Sequence, residues 1–428
     1  MDNFTNRQQQ HRRIGSLSFW NGKQIVIGIG GGIAAYKSLE VIRRLREAGA
    51  MVVPVPTPAG LRFVTELTLQ SLAGGPVHGE LMQPRQPGEM DHIRLAREAD
   101  LVIIAPATAD LMARMAAGQA DDLLTALLLA RRGPTLAAPA MNPAMWSHPA
   151  TQRNVARLRE DGVRMIGPES GALACGESGE GRMAEPAAIL EAARRALTPP
   201  ILAGRRFLIT AGPTREELDP VRFLTNHSSG KMGWETALAA LRAGAEVDLV
   251  HGPVALPPPP GARLLPVTTA GEMHATALKA WLEPRDGREC DAAILTAAVA
   301  DYRPAQRQPE KIKKEHEEPE MHLTLTQNPD ILAELSARAN GRQVVCGFAA
   351  ETGNALERGR EKLARKGCDL LAINDVTAPG CGFGSATNIV TLIGRDGWQE
   401  SWPLLPKEEV AERLIRALHA LLGQRHQT

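Results

Sequence analysis

The sequence carries almost no excess charge: 49 basic and 48 acidic side chains leave a formal +1. Without a net positive field to draw in nucleic acid or an anionic membrane surface, a general polyanion binder is excluded. Long hydrophobic runs are also missing. None approaches the ~18 residues that span a bilayer, which argues against a transmembrane helix. Cysteine is scarce and scattered, at positions 175, 290, 346, 368 and 381, with no C-x-x-C pair. An odd, dispersed set fits reduced cytosolic thiols better than a disulfide framework or a zinc site. The N-terminus, with its Gln8-Gln9-Gln10 run and Arg12-Arg13, has no apolar signal-peptide core and reads as a polar tail over residues 1–21. These absences leave a cytoplasmic protein with no nucleic-acid or membrane partner as the expectation.

What is present is a 428-residue chain, 43% hydrophobic and 23% charged, a globular composition long enough for two domains. The run Gln24-Ile-Val-Ile-Gly-Ile29 has strand length and ends in Gly30-Gly31-Gly32. Helical spacing of apolar residues follows over 33–48, with Gly49 placed as a C-terminal cap and a second strand over 51–55. Strand, glycine turn, helix and strand make a βαβ unit, hence a parallel sheet. Strands over 101–106 and 135–139 and helices over 111–131 and 152–161 continue the rhythm. At Thr198-Pro199-Pro200 helix is interrupted, and at Phe207 the pattern restarts. The second half shows a helix over 234–243 and strands over 247–250, 292–295, 344–348 and 370–373. Both halves read as α/β, two doubly wound Rossmann-like domains with mainly parallel sheets, over 22–198 and 199–428.

Gly30-Gly31-Gly32-Ile33-Ala34-Ala35 satisfies G-x-G-x-x-A between a strand and a helix, where backbone N–H groups hold phosphate. An NAD site would add an acidic residue at the end of the second strand. Here that place holds Val55-Pro56-Thr57, so a mononucleotide is favoured, with Thr57 a candidate for a phosphate or flavin oxygen. The alternative is a turn that needs glycine only for its geometry. Ala105-Pro106-Ala107-Thr108 and Pro139-Ala140-Met141-Asn142 sit at later strand ends, His92 precedes a short helix leading to the third strand, and Cys175 lies in a glycine-rich loop able to act as a flap. Loops after successive parallel strands converge in space, which links these motifs.

In the second half, Asn226-His-Ser-Ser-Gly-Lys-Met-Gly233 is not a Walker A loop, because Gly230-Lys231 is followed by Met232 and the upstream glycine is missing. Its small residues before a helix still offer N–H donors to an anion. Asp301 closes another strand, and Lys311 lies in a charged loop. That loop is either a solvated charge run or a clamp for a triphosphate above Asp301, with Asp301 holding a metal or a ribose.

Taken in order, Gly31-Gly-Ile-Ala-Ala-Tyr-Lys37, Ala105–Asp110, Pro139–Asn142, Ala174-Cys-Gly176 and Gly181-Arg-Met183, then Ala211–Arg215, Asn226–Gly233, Ala298–Arg303, Lys311–Lys314 and Gly347–Thr352, resemble the motifs of one family. It is the bacterial bifunctional phosphopantothenoylcysteine decarboxylase/phosphopantothenate–cysteine ligase of coenzyme A biosynthesis, and the resemblance covers nearly all of residues 22–428. It implies a ligase half that uses CTP and Mg²⁺ to turn 4'-phosphopantothenate into an acyl-cytidylate, which L-cysteine attacks with release of CMP. It implies a decarboxylase half in which FMN accepts electrons from the thiol, so that loss of CO2 leaves an enethiolate. By the same resemblance, Gly30, Gly31, Gly32, Thr57, Ala105, Pro106 and Thr108 hold FMN, His92 and Asn142 orient the substrate carboxylate, and Cys175 is the proton donor. Asn226 stabilises the acyl-cytidylate and Lys311 neutralises triphosphate charge. Asp301, Asn328, Pro329, Asp330, Ile331, Phe348, Lys362 and Lys366 line the CTP site, Asp301 also meeting Mg²⁺. A homo-oligomer, up to a dodecamer, is implied as well. The family usually has serine where this chain has Gly30, so weaker flavin retention is expected.

Two other readings follow from the same pattern. A nicotinamide-dependent oxidoreductase would need the acidic ribose ligand that the Thr57 region lacks. A partner-binding flavoprotein-like subunit without activity would have no use for His92, Asn142 and Cys175 together.

Overall fold

In a computed structural model of the chain, the described residues are 19–81, 90–172, 176–313, 321–351, 354–375, 378–382 and 384–425. Most of the N-terminal tail, Cys175, Lys314 and Thr352 lie outside them. The chain divides into two compact units between Thr198 and Pro199. Among the described residues no helix is long and apolar enough to cross a membrane.

The first unit is built on a parallel sheet of β1 (Gln24–Ile29), β2 (Met51–Pro56), β3 (Leu101–Ala107), β4 (Thr135–Pro139) and β5 (Arg164–Met165) in the order β2-β1-β3-β4-β5. Successive side chains of one strand feed opposite faces. Ile25, Ile27, Ile29 and Ile103 enter one core, while Val26, Val102 and Ile104 enter the other. That is why these strands read as continuous apolar runs, and each such side chain contributes roughly 1.5–3 kcal/mol by full burial. Helices α1 (Ala35–Glu47), α2 (Glu66–Ala73), α3 (Asp91–Glu98), α4 (Ala109–Ala117), α5 (Leu123–Ala130), α6 (Pro143–Ser147), α7 (Pro149–Glu160) and α8 (Pro186–Leu197) complete the unit, with an antiparallel hairpin of β6 (Glu169–Ala172) and β7 (Ser178–Arg182). The helix expected over 111–131 is two helices. Gly118 takes a left-handed φ of 69° and closes α4, and Asp122 opens α5 with a capping box that Thr125 completes.

The second unit carries β8 (Arg206–Ala211), β11 (Glu246–His251), β12 (Arg263–Pro266), β13 (Ala292–Leu295), β16 (Val344–Glu351), β17 (Leu370–Asp375), β18 (Thr387–Gly394) and β19 (Gln399–Pro406), in the order β12-β11-β8-β13-β16-β17-β18-β19. The sheet is parallel as far as β17. The last two strands are antiparallel, an extension absent from the expected strand list. Short ribbons form from β9 (Arg215–Glu217) with β10 (Phe223–Thr225), and from β14 (Tyr302–Pro304) with β15 (Leu325–Gln327). One face packs on α9 (Lys231–Arg242) and α13 (Lys407–Arg425), the other on α10 (Ala270–Leu282), α11 (Ile331–Arg338) and α12 (Ala355–Lys366).

The echo of Leu45-Arg-Glu-Ala-Gly-Ala in Leu241-Arg-Ala-Gly-Ala is a shared helix ending. Ala50 N–H donates to the Leu45 carbonyl and Ala245 N–H to that of Ala240, both at 3.0 Å, around Gly49 at φ 102° and Gly244 at φ 93°. Both endings hand the chain straight to the next parallel strand.

Candidate functional sites

In the first unit a cavity of about 1140 Å³ opens at the carboxyl ends of the strands, lined by Gly31, Gly32, Thr57, Thr108 and Asn142 among others. The glycine turn fits tightly there. A Cβ at Gly31 would lie 2.4 Å from that of Ala59, and one at Gly30 would lie 2.5 Å from the Pro106 carbonyl oxygen. Hydrogen bonding sorts the three glycines: Gly30 N–H donates to Pro106 O and Gly32 N–H to Gly30 O, each at 3.1 Å. Among the described backbone bonds, the amides of Gly31, Ile33 and Ala34 remain uncommitted. Gly30, Ala105 and Pro106 stand behind the cavity wall and do not line it.

Thr57 is buried, and its hydroxyl donates to Ile29 O at 3.1 Å while accepting from Gly60 N–H at 3.0 Å. Its proton therefore joins the end of β1 to the turn after β2, leaving one lone pair for anything else. Thr108 caps α4, its hydroxyl accepting from Leu111 N–H at 3.3 Å. Asn142 caps α6, accepting from Ala144 N–H at 2.8 Å, and its amide donates to the Glu177 carboxylate at 2.5 Å. His92 lies on α3 with a buried, unpartnered Nδ1 and is not among the cavity-lining residues. Beside it, Asp91 accepts from His78 at 3.0 Å and Arg94 at 3.1 Å. Burial raises the Asp91 pKa, but these two partners outweigh it and hold the carboxyl below 3.8.

Lys37 went unnoticed in the sequence as a functional group. Its ammonium is buried and donates to Met183 O at 3.0 Å and to Glu185 at 2.9 Å, tying α1 to the return of β7 at the cavity rim. Only its place within the Gly31–Lys37 motif signalled it.

In the second unit, Asn226 donates to Ala298 O at 3.1 Å, which joins the approach to α9 to the segment leading into Asp301. The backbone carbonyl of Asp301 accepts from Asn328 N–H at 2.8 Å. Asn328 is buried and held on both sides of its carboxamide: its amide donates to Ala300 O at 2.8 Å and its oxygen accepts from Arg303 at 2.9 Å. Asp330 caps α11 through Ala333 N–H at 3.1 Å and pairs with Lys366. Burial pushes the Lys362 pKa below 10.5; Glu351 and Asp301 pull it up, and Lys366 and Arg365 push it down. Asp301, Glu351, Lys362 and Lys366 thus share one electrostatic neighbourhood. Phe348 is partly buried on β16, and Pro329 leads into the cap. The Ile331 side chain packs in the core below, so any ligand contact there belongs to its backbone. Lys311 is exposed. Among the described residues no cluster of three metal-ligating side chains occurs. Asn374, at the end of β17, was also overlooked: its side-chain oxygen is buried with no hydrogen-bond partner.

Residues 18–198 match the Flavoprotein family, and residues 202–422 match the DNA/pantothenate metabolism flavoprotein C-terminal domain. The chain is 46% identical over 398 residues to the coenzyme A biosynthesis bifunctional protein CoaBC of Vibrio cholerae, spanning 93% of this chain and 98% of the relative. The CoaBC protein of Escherichia coli K12 is 47% identical over 92% of this chain and 96% of its own length, and that of Bacillus subtilis 42% over 94% and 98%. With both domains matched and these relatives aligned almost end to end, the chain belongs to the CoaBC family of bifunctional coenzyme A biosynthesis enzymes.

Proposed function

We propose that the second unit joins 4'-phosphopantothenate to L-cysteine at the expense of CTP, and that the first decarboxylates the product to 4'-phosphopantetheine with FMN. The observation that carries this reading is the first unit's cavity: about 1140 Å³ at the carboxyl ends of parallel strands, floored by a glycine turn with three uncommitted amides. Both size and donors suit a phosphate-bearing mononucleotide. When bound, FMN supplies a two-electron acceptor for the substrate thiol. Asn142 orients the substrate carboxylate once its amide exchanges Glu177 for it; His92, which does not line this cavity, is the second residue that the resemblance assigns to that carboxylate. Cys175 is the proton donor, since a thiol of ordinary pKa near 8.5 is mostly protonated at neutral pH.

In the second unit a carboxylate must become an acyl donor. Its oxygen attacks the α-phosphorus of CTP, pyrophosphate leaves, and the cysteine amine then displaces CMP to form the amide. Lys311, Lys362 and Lys366 meet the phosphate charge, and Asn226 holds the acyl-cytidylate. Asp301 would hold Mg²⁺, which would offset the phosphate charge as CTP is attacked. Exposed Ile33 and Tyr36 at the cavity rim support a homo-oligomer, with a dodecamer the form that the resemblance implies. Cytoplasmic residence fits the reduced cysteines.

The test is a visible spectrum of the purified chain, followed by pyrophosphate release from CTP and phosphopantothenate with and without cysteine. A flavin band and phosphopantothenate-dependent release are expected. A colourless protein, or faster release from ATP than from CTP, would overturn the corresponding half of the reading.

A further inference from the structure

The turn between β9 and β10 contains an unusual carboxylate. Asp219 is 1% exposed, yet it accepts five hydrogen bonds. Three partners are local in sequence terms: Val221 N–H and Arg222 N–H, each at 2.8 Å, and the Arg222 guanidinium, which donates twice at 2.7 and 2.9 Å. The remaining bond crosses 93 positions to Ile312 N–H at 3.1 Å. Arg222 completes the bridge by donating to the Ile312 carbonyl at 2.7 Å. Burial raises the Asp219 pKa, but the Val221, Ile312 and Arg222 donors outweigh it and hold the carboxyl well below the usual range.

The same stretch is moored once more upstream, where Gln308 N–H donates to Leu218 O at 2.9 Å and Arg307 pairs with Glu217 at 2.5 Å. A turn needs no contacts so distant in sequence for its own closure. Both polar backbone groups of Ile312 are gripped, and Ile312 directly follows Lys311. A lysine ammonium on a four-carbon stem ranges widely, so the position of its backbone decides what it reaches.

We infer that Asp219, with Arg222, is a positioning residue of the ligase reaction, holding the Lys311 backbone so that its ammonium meets the triphosphate of CTP. The inference rests on the proposed role of Lys311. A carboxylate that acted only in folding would change the amount of active enzyme. One that positions Lys311 changes the CTP concentration the enzyme requires.

The experiment uses the full chain and measures pyrophosphate release against CTP concentration for Asp219→Asn, Lys311→Gln and the double variant, with decarboxylation by the other unit as an internal standard for protein amount. Asp219→Asn is expected to raise KM for CTP about tenfold, the scale of one lost charge-assisted contact, with KM for cysteine unchanged. Because both changes act through one ammonium, the double variant should be no worse than Lys311→Gln alone. Ile312→Pro, which removes the donor and leaves the Asp219 turn intact, should raise KM for CTP likewise and serves if Asp219→Asn fails to fold. Effects of Asp219→Asn and Lys311→Gln that multiply would overturn the inference while leaving the role of Lys311 standing. An unchanged KM for CTP in Lys311→Gln would overturn both.

Discussion

Gly181 offers the sharpest test of how the first unit's site is held. It lies on β7 at φ 153°, and its carbonyl accepts from Met141 N–H at 3.0 Å, one residue before Asn142. A Cβ there would sit 2.3 Å from the Met141 carbonyl oxygen, against the ~3.5 Å of an ordinary contact. Gly181→Ala must therefore open the β7–Met141 contact by about 1 Å. Overpacking of this kind costs about 1–3 kcal/mol, and the unfavourable backbone adds about 1–2 kcal/mol. At roughly 2–4 °C per kcal/mol for a unit of this size, the first unit's melting temperature should fall by about 4–20 °C. A displacement of ~1 Å beside Asn142 should also lower decarboxylation about 100-fold. Gly162→Ala is the control. Its φ of 87° is also unsuited to alanine, yet nothing lies within 4 Å of the added carbon, so backbone strain alone remains. Differential scanning calorimetry and CO2 release from phosphopantothenoylcysteine give the two readouts, and pyrophosphate release by the other unit reports intact protein. If Gly181→Ala matched Gly162→Ala in both, close approach at Met141 would not be what holds the hairpin in place.

Three further outcomes follow from buried charges. Burial raises the Asp122 pKa, but the Thr125 and Arg114 hydrogen bonds outweigh it and keep the carboxyl below 3.8. Its stabilisation is complete above that ordinary value and is lost as pH falls through the depressed one, so Asp122→Asn should flatten that part of a urea-midpoint profile; an unchanged slope would refute it. Asp248→Ala leaves the buried Arg206 guanidinium without the carboxylate now 2.7 Å away and should cost about 3–5 kcal/mol in urea unfolding. A loss below 1 kcal/mol would mean that the Ala280 and Glu283 carbonyls suffice for Arg206. Lys37→Met removes the donors to Met183 O and Glu185 and should destabilise the first unit by about 1.5–3 kcal/mol, with no shift in the second unit's transition to check specificity.

The parallel sheets were legible because a strand buried on both faces needs no polar residue, and runs such as Gln24–Ile29 and Leu101–Ala107 say so directly. The antiparallel extension was not. Gln399–Pro406 keeps only Trp402 and Leu405 inside among exposed neighbours, too sparse an alternation to stand out. The short ribbons β9–β10 and β14–β15 are three residues per strand, below any periodic signal. At 111–131 the apolar spacing ran straight through a break, because residues on both sides of Gly118 serve the same core.

For the sites, sequence conveys which residue types gather at strand ends but not which of their hydrogen-bonding groups are already spent. Thr57, Asn328 and Asp330 all belong where the motifs put them, yet each gives most of its capacity to the fold. Gly30 shows the same limit from the opposite side. Read against the family's usual serine, it is a lost hydroxyl. In the structure it is also a close approach, with its N–H on Pro106 O and no room for a Cβ within 2.5 Å of that oxygen. A serine is compatible with this turn only if the Pro106 carbonyl moves back, and that movement would loosen the Gly30 hydrogen bond that fixes the turn. Gly30 and Pro106 therefore form one geometric unit, and on the proposed reading a phosphate at this turn would meet the amides of Gly31, Ile33 and Ala34 and not a side chain.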